Sequence, residues 1–141
     1  MFERGVNEMV DINKEGTNND SFQSAGGTPG LRQLVDDFYD AMDTIPEAAR
    51  IRGMHPKDLT VSRDKLALFL SGWMNGPNTF RPKYGPINIP RAHQHLPIGE
   101  AEMETWLLCM KTALDKQPYE AAFKDYLLRQ LRIPAQRVRT R

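Results

Sequence analysis

Two adjoining segments, Pro90–Gly99 (PRAHQHLPIG) and Glu100–Met110 (EAEMETWLLCM), decide how the whole sequence is interpreted. Proline fits the first turn of a helix because its missing N–H would have no partner there, so the first segment predicts a short helix. The second proline of the segment ends this helix after about two turns. His93 and His95 then lie about 200° apart around the axis, and therefore only one of them can face the interior.

The second segment predicts a longer helix whose apolar face includes a tryptophan. Gly99 is an acceptable N-cap, and Glu100 and Glu102 suit the positive end of the helix dipole. The apolar residues recur at helical spacing, which turns Trp106 inward: Met103, Trp106, Leu107, Met110 and Leu114. An inward histidine that faces an inward tryptophan could hold an iron porphyrin from one side.

The composition predicts one soluble domain and excludes several classes of function. A single domain of 141 residues buries about 70% of the surface of its unfolded chain. The net charge of +1 gives no general attraction to nucleic acid or membranes, and no apolar run approaches the roughly 18 residues that cross a bilayer. The single cysteine, Cys109, cannot form an intramolecular disulfide, and the N-terminus has no secretory signal. We therefore expect a cytoplasmic protein in which Cys109 is a buried thiol.

Helical periodicity runs through the chain, and no strand pattern interrupts it. Residues 1–20 predict a flexible extension, with a short helix around residues 2–10, and residues 21–133 predict an all-α domain of about six helices. Gly26–Gly30 predicts a turn, after which the helix that carries Tyr39 begins at Gly30. Pro134 ends the last predicted helix, and residues 134–141 predict a disordered, arginine-rich tail.

Three further patterns concern helix starts and the central loop. Thr44–Glu47 has the spacing of a capping box and predicts a new helix. Thr60 or Ser62 caps the next helix, whose inward residues are predicted at helical spacing: Ser62, Leu66, Phe69 and Trp73. Residues 75–90 contain four prolines and two glycines, a density that predicts no regular element. An ordered loop of this length is more often functional than not.

The usual motifs of zinc, nucleotide and hydrolase chemistry are missing from the sequence. His55, His93 and His95 do not have zinc-site spacing, and one cysteine adds too few ligands. What remains is a set of polar groups in an apolar interior: Tyr39, Trp106, one of His93 and His95, and His55 at a helix boundary. Each has an ordinary alternative, because Tyr39 and Trp106 are typical core residues and a histidine before a proline is usually a solvated loop residue.

Five motifs, taken in order along the chain, resemble one family. They are Leu31–Met42 (LRQLVDDFYDAM), Met54–Leu59 (MHPKDL), Phe69–Pro77 (FLSGWMNGP), Ala92–His93 and Trp106–Met110 (WLLCM). Their order and content are similar to those of the truncated haemoglobins, specifically group II, over roughly residues 20–131. The resemblance implies a truncated, globin-like two-over-two helical sandwich around one haem b.

The resemblance also implies roles for individual residues. The family's iron-binding histidine stands thirteen residues before the tryptophan, which favours His93, whereas His95 would need a two-residue deletion and stays a surface residue near a haem propionate. Tyr39, Trp106 and His55 match positions on the opposite face of the haem that contact the bound ligand. The other residues that we expect to contact haem are Ser62, Leu66, Phe69, Phe38, Tyr84 and Arg91.

The resemblance implies binding of O₂, NO and CO at a ferrous iron that can be five-coordinate. Each O–H or N–H directed at a partly negative ligand stabilises it by about 1–3 kcal/mol, so three such donors would make oxygen leave slowly. We therefore expect redox detoxification of peroxide or nitric oxide, with an unidentified reductase, instead of bulk oxygen transport. Enzymatic turnover is left open. The alternatives are a non-enzymatic oxygen or NO binder or sensor, and a haem-free helical interaction module.

Overall fold

The computed structural model describes residues 20–141, and this part of the chain contains helices and no strand. The elements are α1 (Ser21–Ser24), α2 (Gly27–Thr44), a 3₁₀ helix (Pro46–Ala48), α3 (Ala49–Arg52), α4 (Thr60–Trp73), α5 (Phe80–Tyr84), α6 (Ile89–His93), α7 (Glu100–Asp115) and α8 (Ala121–Arg137). The all-α prediction is confirmed. The predicted N-terminal extension and its short helix lie outside the described residues, apart from Asp20. None of the described helices is long and apolar enough to span a membrane.

Helix α2 is the centre of the fold. Its apolar residues recur every three or four positions and share one face, and that face is buried: Leu31, Leu34, Val35, Phe38 and Met42. The helix packs against both α4 and α7, and α7 packs in turn against α8. The pairs α2 with α4 and α7 with α8 form the two-over-two arrangement. Because burial of one large apolar side chain contributes about 1.5–3 kcal/mol, this face supplies much of the stability of the fold.

The turn before α2 is shorter than the sequence predicts. Helix α2 begins at Gly27, three residues before the predicted start, because Gly26 makes the reversal with a φ of 89°. Pro29 falls in the first turn of the helix, where its missing N–H has no cost. A Cβ at Gly30 would lie 1.9 Å from the carbonyl oxygen of Ala25, so only glycine allows α1 and α2 to approach this closely.

Two predicted helix caps are wrong. Thr44 is the last residue of α2, and its hydroxyl donates to the carbonyl of Asp40 at 3.0 Å instead of capping a new helix. The 3₁₀ helix that follows starts at Pro46 without a side-chain cap. At α4, the carboxylate of Asp58 accepts from the backbone N–H of Thr60 at 2.9 Å and from its hydroxyl at 2.7 Å. These two hydrogen bonds lower the pKa of Asp58.

The prediction that residues 75–90 contain no regular element is wrong in part. Helix α5 lies inside this stretch, and α6 begins within it at Ile89. Pro82 is the third residue of α5, where its missing N–H would have had no partner inside the helix. The carboxylate of Asp64 on α4 fixes the new helix, because it accepts hydrogen bonds from Lys83 Nζ at 2.7 Å and from the Tyr84 hydroxyl at 2.5 Å.

The predicted end of the last helix and the predicted disordered tail are also wrong. Helix α8 continues to Arg137 with Pro134 inside it, and both Pro134 and Ala135 are buried. Their packing offsets the backbone hydrogen bond that proline removes. Beyond the helix, the Thr140 hydroxyl donates to the Leu96 carbonyl at 2.6 Å and accepts from the Ile98 N–H at 2.9 Å. The packed structure therefore runs past the predicted boundary at residue 133.

Candidate functional site

Four aromatic rings from three separate segments meet beside α2. Phe38 on α2 contacts Tyr39 at a centroid distance of 4.9 Å and Trp106 on α7 at 5.1 Å. The ring of His55, in the loop after α3, packs nearly perpendicular to that of Tyr39 at 5.7 Å. The three residues predicted to contact a ligand, Tyr39, Trp106 and His55, are thus brought together, and Phe38 lies among them.

The hydroxyl of Tyr39 remains a hydrogen-bond donor in this cluster. The residue is 5% exposed, and its O–H points to the carbonyl of Ser62 at 3.5 Å, which is a long and weak hydrogen bond. Burial raises the pKa of Tyr39 to about 12, although the positive charge of Arg63 acts in the opposite direction. The phenol is therefore protonated throughout the physiological range and can turn its hydrogen towards a nearby acceptor.

Arg63 is a member of this region that the sequence analysis missed. Its guanidinium lies 5.6 Å from the centroid of the Tyr39 ring. The same group donates to the carboxylates of Asp36 at 3.0 Å and Asp40 at 3.2 Å, both on α2. The sequence feature that could have predicted this contact is the pair of aspartates four residues apart on the outer face of α2. Such a pair can bind one cation from an adjacent helix.

The hydrogen-bonding of His55 differs from the prediction that its ring donates an N–H to the ligand. Its Nδ1 lies 2.8 Å from the carbonyl oxygen of Ile51, and a carbonyl can only accept, so the hydrogen of the neutral ring is on Nδ1. Burial lowers the pKa of His55, the hydrogen bond to Ile51 opposes this change, and positive charge at Arg52 and His93 lowers the pKa further. The neutral ring therefore offers a lone pair at Nε2 instead of an N–H.

His93 has the same local arrangement on α6. Its Nδ1 lies 2.8 Å from the carbonyl of Ile89 and the side chain is half-buried, so the neutral ring keeps a lone pair on Nε2. The helix is held at its start by Asn88, whose side chain accepts from the N–H of Arg91 at 3.0 Å. His95 was predicted on the same helix, but it lies in the turn after the helix ends and is exposed.

The three predicted contact residues of α4 line the edge of the core. Ser62, Leu66 and Phe69 are half-buried, and the two apolar side chains pack against the buried core. Phe69 also stacks on Trp73 at a centroid distance of 6.5 Å. Apolar side chains that are packed on one side and open on the other suit contact with a flat apolar ligand.

Tyr84 and Arg91 are engaged elsewhere. The Tyr84 hydroxyl is bound to Asp64, and the ammonium of Lys65 lies 5.2 Å from its ring centroid, so Tyr84 belongs to the junction of α4 and α5. The exposed side chain of Arg91 borders an open groove together with Arg137 and Arg139. Neither residue contacts the aromatic cluster in the described structure.

Comparison with known proteins identifies the family. The model of the family described as bacterial-like globin matches residues 20–139. The chain belongs to the bacterial-like globins. This globin is 30% identical over 105 residues to the group 2 truncated hemoglobin YjbI of Bacillus subtilis (strain 168), in an alignment that covers 74% of this chain and 77% of that protein.

Solved structures give the same result for the fold of this globin. The cold-adapted truncated hemoglobin of Pseudoalteromonas haloplanktis TAC125 is similar with a TM-score of 0.82 and 27% identity, covering 86% of this chain and 98% of that one. The group II 2-on-2 hemoglobin of Agrobacterium tumefaciens is similar with a TM-score of 0.79 and 35% identity, covering 84% and 92%. The predicted group II truncated haemoglobin with its globin-like fold is confirmed.

A globin is a haem protein that binds a small ligand, and the residues of this globin fit a haem. The Nδ1–H of His93 is held by a backbone carbonyl, which orients the lone pair of Nε2 as in other histidines that bind metals. Leu66, Phe69 and Trp106 are apolar or aromatic and only half-buried.

Proposed function

We propose that this globin binds haem b through His93 and uses it for redox detoxification of peroxide or nitric oxide, and not for bulk oxygen transport. One observation carries the proposal. A buried, protonated Tyr39 hydroxyl lies in an aromatic cluster with Trp106 and His55, while the Nε2 lone pair of His93 lies on another segment of the same domain.

When bound, haem b supplies an iron centre that takes a small ligand on one face and exchanges electrons with it. On this proposal His93 Nε2 holds the iron, and Leu66, Phe69 and Phe38 cover the apolar ring. Tyr39 O–H and the indole N–H of Trp106 face a ligand such as O₂, NO or CO. Each such hydrogen bond to a partly negative ligand contributes about 1–3 kcal/mol. Two donors would make release slow, which favours chemistry on the bound ligand over delivery.

The proposal implies an external source of electrons. Repeated turnover consumes electrons, and we propose that a separate reductase supplies them. The single cysteine also fits a reducing compartment, and we propose a cytoplasmic location. The reductase would supply the electrons that reduction of peroxide or turnover of nitric oxide consumes.

The test uses the purified full chain. Its absorption spectrum and the pyridine derivative of the extracted pigment identify haem b, and turnover of peroxide and of nitric oxide is then measured with a reductase system supplied. Sustained consumption of either substrate supports the proposal. Reversible ligation of O₂ and NO with little turnover would instead indicate the binder or sensor. A colourless protein that haemin cannot reconstitute would contradict the whole proposal.

A further inference from the structure

The loop that carries His55 is tied down through one backbone carbonyl. The oxygen of Ile51 accepts from the backbone N–H of Met54 at 3.0 Å and from Nδ1 of His55 at 2.8 Å. A carbonyl oxygen has two lone pairs, so both hydrogen bonds are satisfied at once. If the His55 ring turned so that an N–H faced the other way, the hydrogen bond from Nδ1 to the Ile51 carbonyl would break. The neutral imidazole is therefore fixed with its lone pair on Nε2.

The surroundings of His55 keep its ring neutral. The charged and titratable groups that face it are Tyr39, Asp43, Arg52, Lys57 and His93. The guanidinium of Arg52 is compensated by Asp43 at 2.6 Å, and Tyr39 is protonated. Burial, which is the largest cause, and the positive charge of Arg52 hold the pKa of His55 below its ordinary value. At neutral pH the aromatic cluster therefore contains two hydrogen-bond donors, Tyr39 and Trp106, and one acceptor, His55.

A site with two hydrogen-bond donors and one acceptor suits ligands that carry a proton better than it suits O₂, NO and CO. These diatomic molecules carry no proton, so a lone pair beside them gives no hydrogen bond. A ligand that arrives with a proton can give it to the acceptor, and the negative charge left behind is then stabilised by the donors. Hydrogen peroxide has this chemistry.

We propose that Nε2 of His55 is a proton acceptor that makes the site selective for protic ligands, with hydrogen peroxide as the substrate. This inference rests on the proposed function and chooses between its two reactions. In the step, the lone pair of Nε2 takes one proton from H₂O₂, which gives the imidazolium and the hydroperoxide anion. The O–H of Tyr39 and the N–H of Trp106 stabilise that anion. The His55 ring also borders an open groove beside Met42 and Ile45, through which its proton can pass to water.

The first test uses cyanide, which at pH 7 is present as neutral HCN and must lose its proton to bind as an anion. The rate of HCN association with the ferric protein is compared with that of the His55→Phe variant by stopped-flow spectroscopy. Because positioned bases contribute strongly to proton transfer, we expect association to be at least about tenfold slower in the variant. CO association with the ferrous protein, which involves no proton, should be unchanged. The exposed His95→Phe variant is the matched control for both rates.

The second test needs no variant and therefore does not depend on the folding of one. The stretching frequency of CO in the ferrous complex falls when a donor faces CO and does not fall beside a lone pair. We expect one band near neutral pH and a second, lower band that grows when His55 is protonated at acid pH. A single low-frequency band at neutral pH that does not change when the pH is lowered would show that His55 is already a donor and would overturn the inference.

Two other results separate the inference from the proposed function. Unchanged HCN association in His55→Phe, together with normal haem binding and a clear effect of Tyr39→Phe on O₂ release, would overturn only the role of His55. A ferric spectrum that is six-coordinate without added ligand and becomes five-coordinate in His55→Phe would also overturn it, because the lone pair would then be used by the iron. Loss of haem binding in the unmodified protein would remove both proposals.

Discussion

The two sides of the candidate haem site are built in different ways. The aromatic side is part of the core: α2 contributes seven buried residues, and Phe38 and Tyr39 are among them. The side that carries His93 consists of α5 and α6, and within these two described helices no residue is buried. Apolar packing therefore holds one side of the site, whereas hydrogen bonds and ion pairs hold the other.

The polar anchors of the His93 segment lie at its two ends. At the start, Asp64 binds Lys83 and Tyr84 of α5. At the end, Thr140 binds the backbone of Leu96 and Ile98, just beyond α6. We therefore expect substitutions on the aromatic side to alter how the ligand is bound while the His93 segment stays in place. Substitutions at the anchors should instead alter how tightly the His93 segment holds haem.

The largest effect that we expect among these changes is that of Tyr39→Phe on ligand release. The substitution keeps the ring in the core and removes only the O–H that we propose faces the ligand. Loss of about 1–3 kcal/mol of stabilisation should speed O₂ dissociation by roughly 5- to 150-fold. Stopped-flow displacement of O₂ by CO measures the rate. In the matched variant Tyr84→Phe, which loses a hydroxyl bound to Asp64, we expect an unchanged rate, and an equal acceleration in both would contradict the assignment.

A smaller effect is expected from Thr140→Ala, which tests the anchor at the end of the segment. The change removes the hydroxyl that joins Leu96 and Ile98, and one such hydrogen bond contributes about 1 kcal/mol. Transfer of haem to an excess of an acceptor globin should therefore be roughly fivefold faster, with O₂ dissociation unchanged. Thr112→Ala, which removes a hydroxyl bound within α7, is the control. Equal haem transfer in all three proteins would show that the tail does not hold the segment.

The smallest effect is expected from Asp64→Asn, which weakens the anchor at the start. Hydrogen bonds from Lys83, Tyr84 and Arg32 hold the pKa of Asp64 well below its usual range. The stabilisation is then complete above the ordinary carboxyl pKa of about 3.9 and is lost as the pH falls below it. Since the partners are partly exposed, we expect the free energy of unfolding to fall by only about 0.5 kcal/mol at pH 7. Denaturant unfolding should show a difference that shrinks below about pH 4, with Asp125→Asn as the control.

The sequence predicts the aromatic side of the site better than the His93 side. Apolar spacing along α2 and α7 places Phe38 and Trp106 correctly, because helical periodicity reports burial directly. The burial of Cys109 was also predicted and is confirmed. The Gly99 N-cap of α7 is confirmed as well, and the Glu102 carboxylate accepts from its N–H at 2.7 Å.

The errors concern structure that long-range contacts create. Helix α5 depends on Asp64, which lies about twenty residues earlier in the chain, and the ordered tail depends on Ile98, which lies some forty residues away. No local pattern reports such partners. Pro134 breaks an isolated helix but is tolerated here because it is buried. The tautomer of His55 is likewise set by a backbone carbonyl that composition and spacing do not reveal.

The most direct test of the account is the coordination of haem in His93→Ala beside His95→Ala. Absorption and resonance Raman spectra of the ferrous proteins report the bond between iron and histidine. We expect this bond to be lost in His93→Ala, to return as an iron–imidazole bond when imidazole is added, and to be unchanged in His95→Ala. An unchanged spectrum in His93→Ala, or loss of the bond in His95→Ala, would contradict the assignment of His93 as the iron ligand.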